Sequence, residues 1–243
     1  MTTTSRPSPT KPTNGSLFRT IIRFAGKVRL IDTVTLWRPT SQAELDLVAG
    51  CGWRSWPGDL GGQPLMGRDE ATRTVRESLV PTEGVGYVTR VEVDPSDGHL
   101  AGVINEEAEF RGPVGDDEFA EAEAVLGAPL PAAWRAYLQG GSWLHSGWLD
   151  KSGTYISLHS PREMIELHDA WRDTVASHPG IAIIGGDGSR EQLVLDLRRD
   201  PAPVRLADLA SEGWETTFRQ TADVGELITR IEAGAFAIDF GSD

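Results

Sequence analysis

Two tryptophans beside an acidic residue are the side chains of this sequence best suited to bind another molecule. Trp143 and Trp148 flank the segment LHSG, and Asp150 and Lys151 follow directly. Half-exposed tryptophans next to charged residues are common anchors in protein–protein interfaces. Packing into a hydrophobic core is the other explanation for both rings. The segment therefore predicts either a binding surface or part of a core.

The segment GGDGSRE is a second candidate site. Its glycines could expose backbone amides to a phosphate, but no lysine has the spacing of a phosphate-binding loop and a strand-like sequence follows. Asp187 and Glu191 could hold a calcium ion, but the EF-hand spacing is absent. We therefore predict a turn between two strands. Trp143, Trp148, Asp150, Asp187 and Glu191 together are the predicted partner-binding residues.

The other reactive side chains show no catalytic pattern. The five histidines form no His-Glu-x-x-His pair, and none lies in a recognisable nucleophile motif. Glu166 and His168 are two residues apart and point to different faces of a helix. Cys51 is the only cysteine, which excludes an intramolecular disulfide and a zinc site made of cysteines. We predict no catalytic, metal or cofactor site, and so a protein that is not an enzyme.

The negative charge of the chain is concentrated in its second half. Residues 1–115 contain 13 Lys and Arg against 14 Asp and Glu, whereas residues 116–243 contain 10 against 22, so the net charges are −1 and −12. Such a surface repels nucleic acid and attracts a basic protein. Maintaining solubility is the other explanation of the charge. We predict a protein partner, with no nucleic acid and no membrane as partner.

Composition also predicts the compartment. No apolar run approaches the ~20 residues that a membrane-spanning helix needs. No secretory signal peptide is evident at the start of the sequence, and a single cysteine is typical of the reducing cytosol. We predict a soluble cytoplasmic protein.

The first half of the sequence begins with a tail and a strand. Residues 1–16 are rich in Thr, Ser and Pro and are predicted to be disordered. Residues 17–29 interleave basic and apolar side chains, a pattern that fits a short helix or a strand equally well. The next segment, VRLIDTVTLW, predicts a strand that ends at Arg38 and Pro39.

Helices and a further strand follow in the first half. Ser41 and Glu44 form a capping box that predicts the start of a helix. A second helix is predicted for residues 69–79, ending before Pro81. The alternation in GVGYVTRVEVD predicts a strand.

The second half has its own series of predicted elements. Asp116 or Asp117 begins an acidic helix, and Pro131 suits the first turn of the next helix. Ser160 and Glu163 form another capping box. IAII and QLVLDL predict strands around GGDG, and VGELITRIEAG predicts a last helix.

The order of these second-half segments resembles the SUKH superfamily. The similar segments are DDEFAEAEAVLG, LPAAWRAYLQGG, GIAIIGGDGSREQLVLDL and VGELITRIEAG, within residues 113–240. One difference is GGSW at residues 140–143, where relatives often have Asn-Gly. The resemblance implies an α+β domain with a central, mostly antiparallel sheet flanked by helices. It also implies a non-enzymatic binding role, most often as a bacterial immunity protein that neutralises a cognate toxin. A regulatory hub of the yeast Smi/Knr type is the alternative that the same resemblance implies.

A smaller α/β or α+β module is predicted for residues 17–112. VRLIDTVTLWRPTSQAELDLVAGCGW and GVGYVTRVEV resemble a short actinobacterial family linked to ADP-ribosylation. That resemblance implies that Arg38 grips a nicotinamide dinucleotide and that Glu106, Glu107 or Glu109 stabilises the oxocarbenium charge. A surface arginine and a solvated run of charges are the other interpretations. Transferase activity in this module is therefore kept as an alternative function.

Overall fold

One antiparallel sheet forms the framework of the molecule. The computed structural model describes residues 17–24, 27–50, 65–93, 105–208, 210 and 212–241, with the backbone alone for 17–24, 27–32 and 105. Ten strands in these residues follow one another in space in chain order, and every neighbouring pair is antiparallel. The strands are β1 (Leu17–Phe24), β2 (Lys27–Thr40), β3 (Val85–Val93), β4 (Asn105–Arg111), β5 (Trp143–Trp148), β6 (Tyr155–Leu158), β7 (Ile181–Gly186), β8 (Glu191–Asp196), β9 (Val204–Asp208) and β10 (Phe218–Thr221). The predicted α+β class with an antiparallel sheet is confirmed.

Helices connect the strands and cover the sheet. The α-helices of the described residues are α1 (Gln42–Gly50), α2 (Arg68–Thr74), α3 (Val80–Glu83), α4 (Asp116–Leu126), α5 (Ala132–Leu138), α6 (Pro161–Ala170), α7 (Arg172–Ser177) and α8 (Val224–Glu232). Phe119 of α4, Trp134 of α5 and Leu227 of α8 are fully buried in the largest core cluster. Leu167 of α6 and Val175 of α7 pack against a separate cluster that contains Ile181 and Ile183 of β7. None of the helices in these residues is both long enough and apolar enough to cross a membrane.

The sheet and the main core continue across the predicted boundary between residues 112 and 113. Strand β4 pairs with β5, and Val88 and Phe110 belong to the same buried cluster as Trp134 and Leu193. The backbone at this boundary also forms hydrogen bonds with both halves of the chain. Gly112 N–H donates to the carbonyl of Gly84 at 2.7 Å, and Val114 N–H donates to that of Leu138 at 2.9 Å. The division into two modules stays a prediction, and the two sequence halves share one sheet.

The helix around Pro81 differs from the prediction. The sequence predicts an end before Pro81, but helical structure continues from α2 through a π-helical turn, Val75–Leu79, into α3. Proline has no N–H and its ring crowds the preceding turn, so a widened turn lets the helix pass it. The N–H of Val80 accordingly donates to the carbonyl of Val75, five residues earlier. Arg76 and Glu77 lie in this widened turn.

Strand β4 is the second departure from the sequence interpretation. The segment NEEAEF reads as a run of solvated charges, yet it pairs with both β3 and β5. Ala108 and Phe110 face the core, 7% and 6% exposed. The acidic side chains next to them form ion pairs with arginines. Glu107 lies 3.5 Å from Arg90, and Glu109 lies 2.8 Å from Arg111. Alternation with period two explains how an acidic sequence can form a central strand.

Several local predictions are confirmed. β7 and β8 are joined at GGDG, as predicted. Residues 17–24, for which a helix and a strand fitted equally well, form a strand, and β2 continues through Arg38 and Pro39 to Thr40, one residue beyond its predicted end. Glu163 N–H donates to Ser160 Oγ at 3.3 Å while Ser160 N–H donates to Glu163 Oε2 at 2.7 Å, which is a complete capping box. The predicted tail, residues 1–16, and Cys51 lie outside the described residues.

Candidate binding surface

Trp143 is part of the core. Its side chain is 1% exposed, and its indole N–H donates to the carbonyl of Gly112 at 2.7 Å. A side chain buried in this way presents no surface to a partner. The core-packing explanation therefore applies to Trp143, and it is removed from the predicted binding residues.

Trp148, at the other end of the same strand, is exposed. Its side chain is 49% accessible, and its ring lies 5.4 Å from that of Tyr155 with an angle of 65° between the planes. The two residues are directly opposite each other in the β5–β6 pairing. An edge contact of this kind holds an aromatic ring in one orientation. Tyr155 was missed by the sequence analysis, although its place in the strand-like segment TYISL could have indicated it.

The turn between β7 and β8 lies beside this aromatic pair. Gly188, at φ +82°, is so close to Tyr155 that a Cβ on it would be 3.1 Å from Tyr155 Cε1. Ser189 Oγ lies within 2.9 Å of oxygens of both Asp187 and Glu191, and its one hydrogen can be donated to either carboxylate. The structure therefore brings two predicted acidic residues to the same end of the sheet as Trp148.

Asp150 is already paired within the protein. Its carboxylate forms a salt bridge with the guanidinium of Arg68, which also donates to the carbonyl of Trp148 at 2.6 Å. Burial lowers the pKa of Arg68, and the nearby acids Glu107 and Asp69 oppose this shift. Asp150 remains near the surface, 48% exposed, but part of its charge is neutralised. We expect it to orient the Trp148 backbone as well as to contribute negative charge.

A cleft of about 670 Å³ opens next to Trp148. Phe110, Leu144, Leu149 and Ile231 form its apolar part, and charged residues of α2 and the π-helical turn line its rim. The rim includes as many basic as acidic residues: Arg68, Arg73, Arg76, Lys151, Asp69, Glu77, Asp150 and Glu232. Since these charges balance, the cleft contributes little to the negative field of the molecule.

A cluster of ionisable residues joins β4, β5 and α6. Arg111 donates to Glu109 Oε1 at 2.8 Å and to Glu163 Oε1 at 2.9 Å. His145 Nε2 lies 3.9 Å from an oxygen of each carboxylate. Burial lowers the pKa of His145, and also that of His159 nearby. The cluster has the geometry of a structural link between the sheet and the start of α6, and the described residues contain no group of three or more His, Cys, Asp and Glu able to hold a metal ion.

The ionisation of Glu163 also indicates that this cluster has a structural role. The pKa of Glu163 is lowered: burial raises it, but the Ser160 backbone hydrogen bond, His145 and Arg111 together outweigh burial. A carboxylate held ionised by its own helix start and by Arg111 stabilises the fold. We therefore interpret the ion pair of Glu163 and Arg111 as a contact that stabilises the start of α6.

Three of the four residues named for the transferase alternative, Arg38, Glu107 and Glu109, have structural partners. Arg38 Nη2 donates to Glu44 Oε1 at 3.0 Å, and Glu44 Oε2 accepts from the N–H of Ser41 at 3.1 Å. Arg38 thus supports the capping box of α1, with a side chain that is 11% exposed. Glu107 and Glu109 are paired with arginines, as described for β4. No observation favours a nicotinamide site at these residues.

Comparison of the chain with known protein families and with curated proteins found no match.

Proposed function

We propose that this protein is a non-enzymatic binding protein that captures a basic protein partner, as a bacterial immunity protein captures its toxin. The surface that we assign to this role is the aromatic–acidic end of the sheet, defined by Trp148, Tyr155, Asp187 and Glu191. The observation that carries the proposal is the exposed Trp148 ring, fixed by Tyr155 beside an acidic turn. Large aromatic side chains with neighbouring charge are typical of energetically dominant interface residues.

Charge distribution supports the same partner class. The second half of the chain has a net charge of −12. Four of the five predicted partner-binding residues, Trp148, Asp150, Asp187 and Glu191, are at or next to strand ends on this side of the sheet. A negative surface accelerates the encounter with a basic protein and makes the association sensitive to salt. The SUKH resemblance of residues 113–240 agrees with this role and adds the expectation of a toxin as partner.

The proposal is tested with a toxin encoded beside the gene for this protein, or with a partner found by affinity purification and mass spectrometry. We expect a stoichiometric complex, protection of cells from the toxin, and an affinity that falls as salt rises. The variant Asp187→Lys with Glu191→Lys should weaken the complex by roughly tenfold or more. The matched control is Asp169→Lys with Asp173→Lys, which changes the same charge at α6 and α7, near the opposite end of β7.

Two results would contradict the proposal. One is full affinity and full protection by the variant at Asp187 and Glu191. The other is an equal loss for both pairs of substitutions, since that would mean that overall charge, and no defined surface, determines binding.

A further inference from the structure

Trp148 offers one exposed aromatic face in a fixed orientation. It ends β5 opposite Tyr155, and the edge of one ring meets the other with 5.4 Å between the ring centres. The guanidinium of Arg68 donates to the backbone carbonyl of Trp148 at 2.6 Å and so helps to hold the backbone of this residue. A fixed, half-exposed indole loses little conformational entropy when it is covered by a ligand.

The two carboxylates of the turn that contacts Tyr155 have no cation among the described residues. Asp187 and Glu191 share only the hydroxyl of Ser189, whose Oγ lies within 2.9 Å of both. Arg190 lies between them in sequence, but its guanidinium donates to Asp208 at 2.9 and 3.1 Å. Two negative charges without a countercharge therefore lie in the turn that contacts Tyr155, the ring partner of Trp148.

These two features recognise the same chemical group. The face of an indole ring is negative, and it attracts a cation more strongly than the ring of tyrosine or phenylalanine does. A guanidinium fits better than an ammonium ion, because it is planar, stacks on the ring and can donate to two carboxylates from its edge. We propose that Trp148, Asp187 and Glu191 form a subsite for one arginine side chain of the protein partner. This assignment rests on the proposed function and identifies the chemistry of its contact.

The subsite is tested without the partner, on the full chain, with the blocked tripeptide acetyl-Gly-Arg-Gly-amide. We expect the NMR signal of the Trp148 indole N–H to shift in a saturable way, with an affinity on the order of millimolar. The peptide with citrulline, which has the same shape without the charge, should bind at least about threefold more weakly. The lysine peptide should lie between the two.

Variants separate the two components of the subsite. Trp148→Leu, and Asp187→Asn with Glu191→Gln, should each weaken arginine binding at least about threefold, whereas Trp148→Phe should keep part of it. The control is Trp171→Leu, which removes a tryptophan that is 39% exposed and lies beside the Arg172–Asp169 pair. Circular dichroism and thermal unfolding establish that each variant is folded.

Several outcomes would overturn the arginine subsite: a shift that does not saturate, equal binding of the citrulline or lysine peptide, or an equal loss in Trp171→Leu. A partner complex that keeps its affinity in Trp148→Leu would also overturn it, while the proposed function would stand. Conversely, specific arginine binding in a protein that forms no partner complex would contradict the proposed function alone.

Discussion

Arg76 and Glu232 are joined by two hydrogen bonds, from Nη1 to Oε2 at 2.8 Å and from Nη2 to Oε1 at 3.4 Å. The same guanidinium donates to the carbonyl of Ser142 at 3.2 Å and lies 5.7 Å from the ring centre of Phe110. One side chain of the π-helical turn thus contacts β4, the segment before β5 and α8. The turn that Pro81 imposes on its helix is therefore linked to the second half of the chain.

The Arg76–Glu232 pair should stabilise the fold modestly. Because the side chains are 34% and 36% exposed, solvent screens the pair, and we expect a coupling energy of about 0.5–1 kcal/mol. A double-mutant cycle with Arg76→Ala and Glu232→Ala, followed by urea unfolding, measures it. The control cycle is Arg172 with Asp169, a pair that is 74% and 84% exposed and should show almost no coupling. Equal coupling energies in both cycles would show that the Arg76–Glu232 pair stabilises the fold no more than a fully exposed pair does.

The two tryptophans of β5 should differ sharply in their effect on stability. Trp143→Phe removes the hydrogen bond to Gly112 and leaves a cavity in the core, so the free energy of unfolding should fall by about 1–3 kcal/mol. Trp148→Phe changes an exposed ring and should stay within about 0.5 kcal/mol of the natural protein. Denaturant unfolding curves of the two variants provide the comparison. A larger loss for Trp148→Phe would mean that the exposed ring packs as a core residue.

The burial of Trp143 and the exposure of Trp148 could not be predicted from the sequence. The local signals predicted the strand pair around GGDG and the capping box at Ser160, because each depends on residues close in sequence. No strand was predicted for the segment from Trp143 to Trp148, which forms β5. In the structure the pairing of β5 with β4 skips His145, since Ser146 is opposite Glu109 and Leu144 is opposite Phe110. Local periodicity does not predict such an irregularity. Trp143 is buried with its indole bonded to Gly112, whereas Trp148 ends the strand opposite Tyr155 and is exposed.

Tertiary contacts decided what the sequence left open. Glu107 and Glu109 became part of a strand because Arg90 and Arg111 neutralise them from other positions. Tyr155 joined the binding surface because β5 and β6 pair in one particular register, with Trp148 opposite it. The Glu107–Arg90 pair and the Trp148–Tyr155 pair cannot be read from local propensity, since each depends on which strands become neighbours.

The buried histidines should make the protein less stable in acid. Burial lowers the pKa values of His145 and His159, so both stay neutral in the folded state at pH values where the unfolded chain takes up protons. Their contribution is fully present above the unfolded pKa of about 6.5 and is lost as the pH falls toward the folded values. The free energy of unfolding should therefore decrease from pH 7 to pH 5.

Substitution can assign this pH dependence. His145→Gln with His159→Gln should reduce the slope of unfolding free energy between pH 7 and pH 5. Glu163 adds a second loss at lower pH, because its pKa is lowered and its stabilising charge disappears as the pH falls through the folded value. An unchanged slope in the double variant would contradict the assignment to the two histidines.

Gly185 should be essential to the position of the acidic turn. It lies opposite Leu158 in the short β6–β7 pairing, and a Cβ on it would be 2.4 Å from the carbonyl oxygen of Ser157. Gly185→Ala must therefore separate the two strands, and we expect it to lower the free energy of unfolding by about 1–3 kcal/mol. The control is Gly141→Ala, where an added Cβ meets no atom within 4 Å.

The same change should also affect binding. Strand β6 begins with Tyr155, and β7 ends one residue before Asp187, so separating these strands moves the aromatic pair away from the acidic turn. Gly185→Ala should then weaken arginine-peptide binding in protein that is still folded at low temperature, and Gly141→Ala should not. If Gly185→Ala lost stability but kept full peptide affinity, Trp148 would bind the cation without help from Asp187 and Glu191.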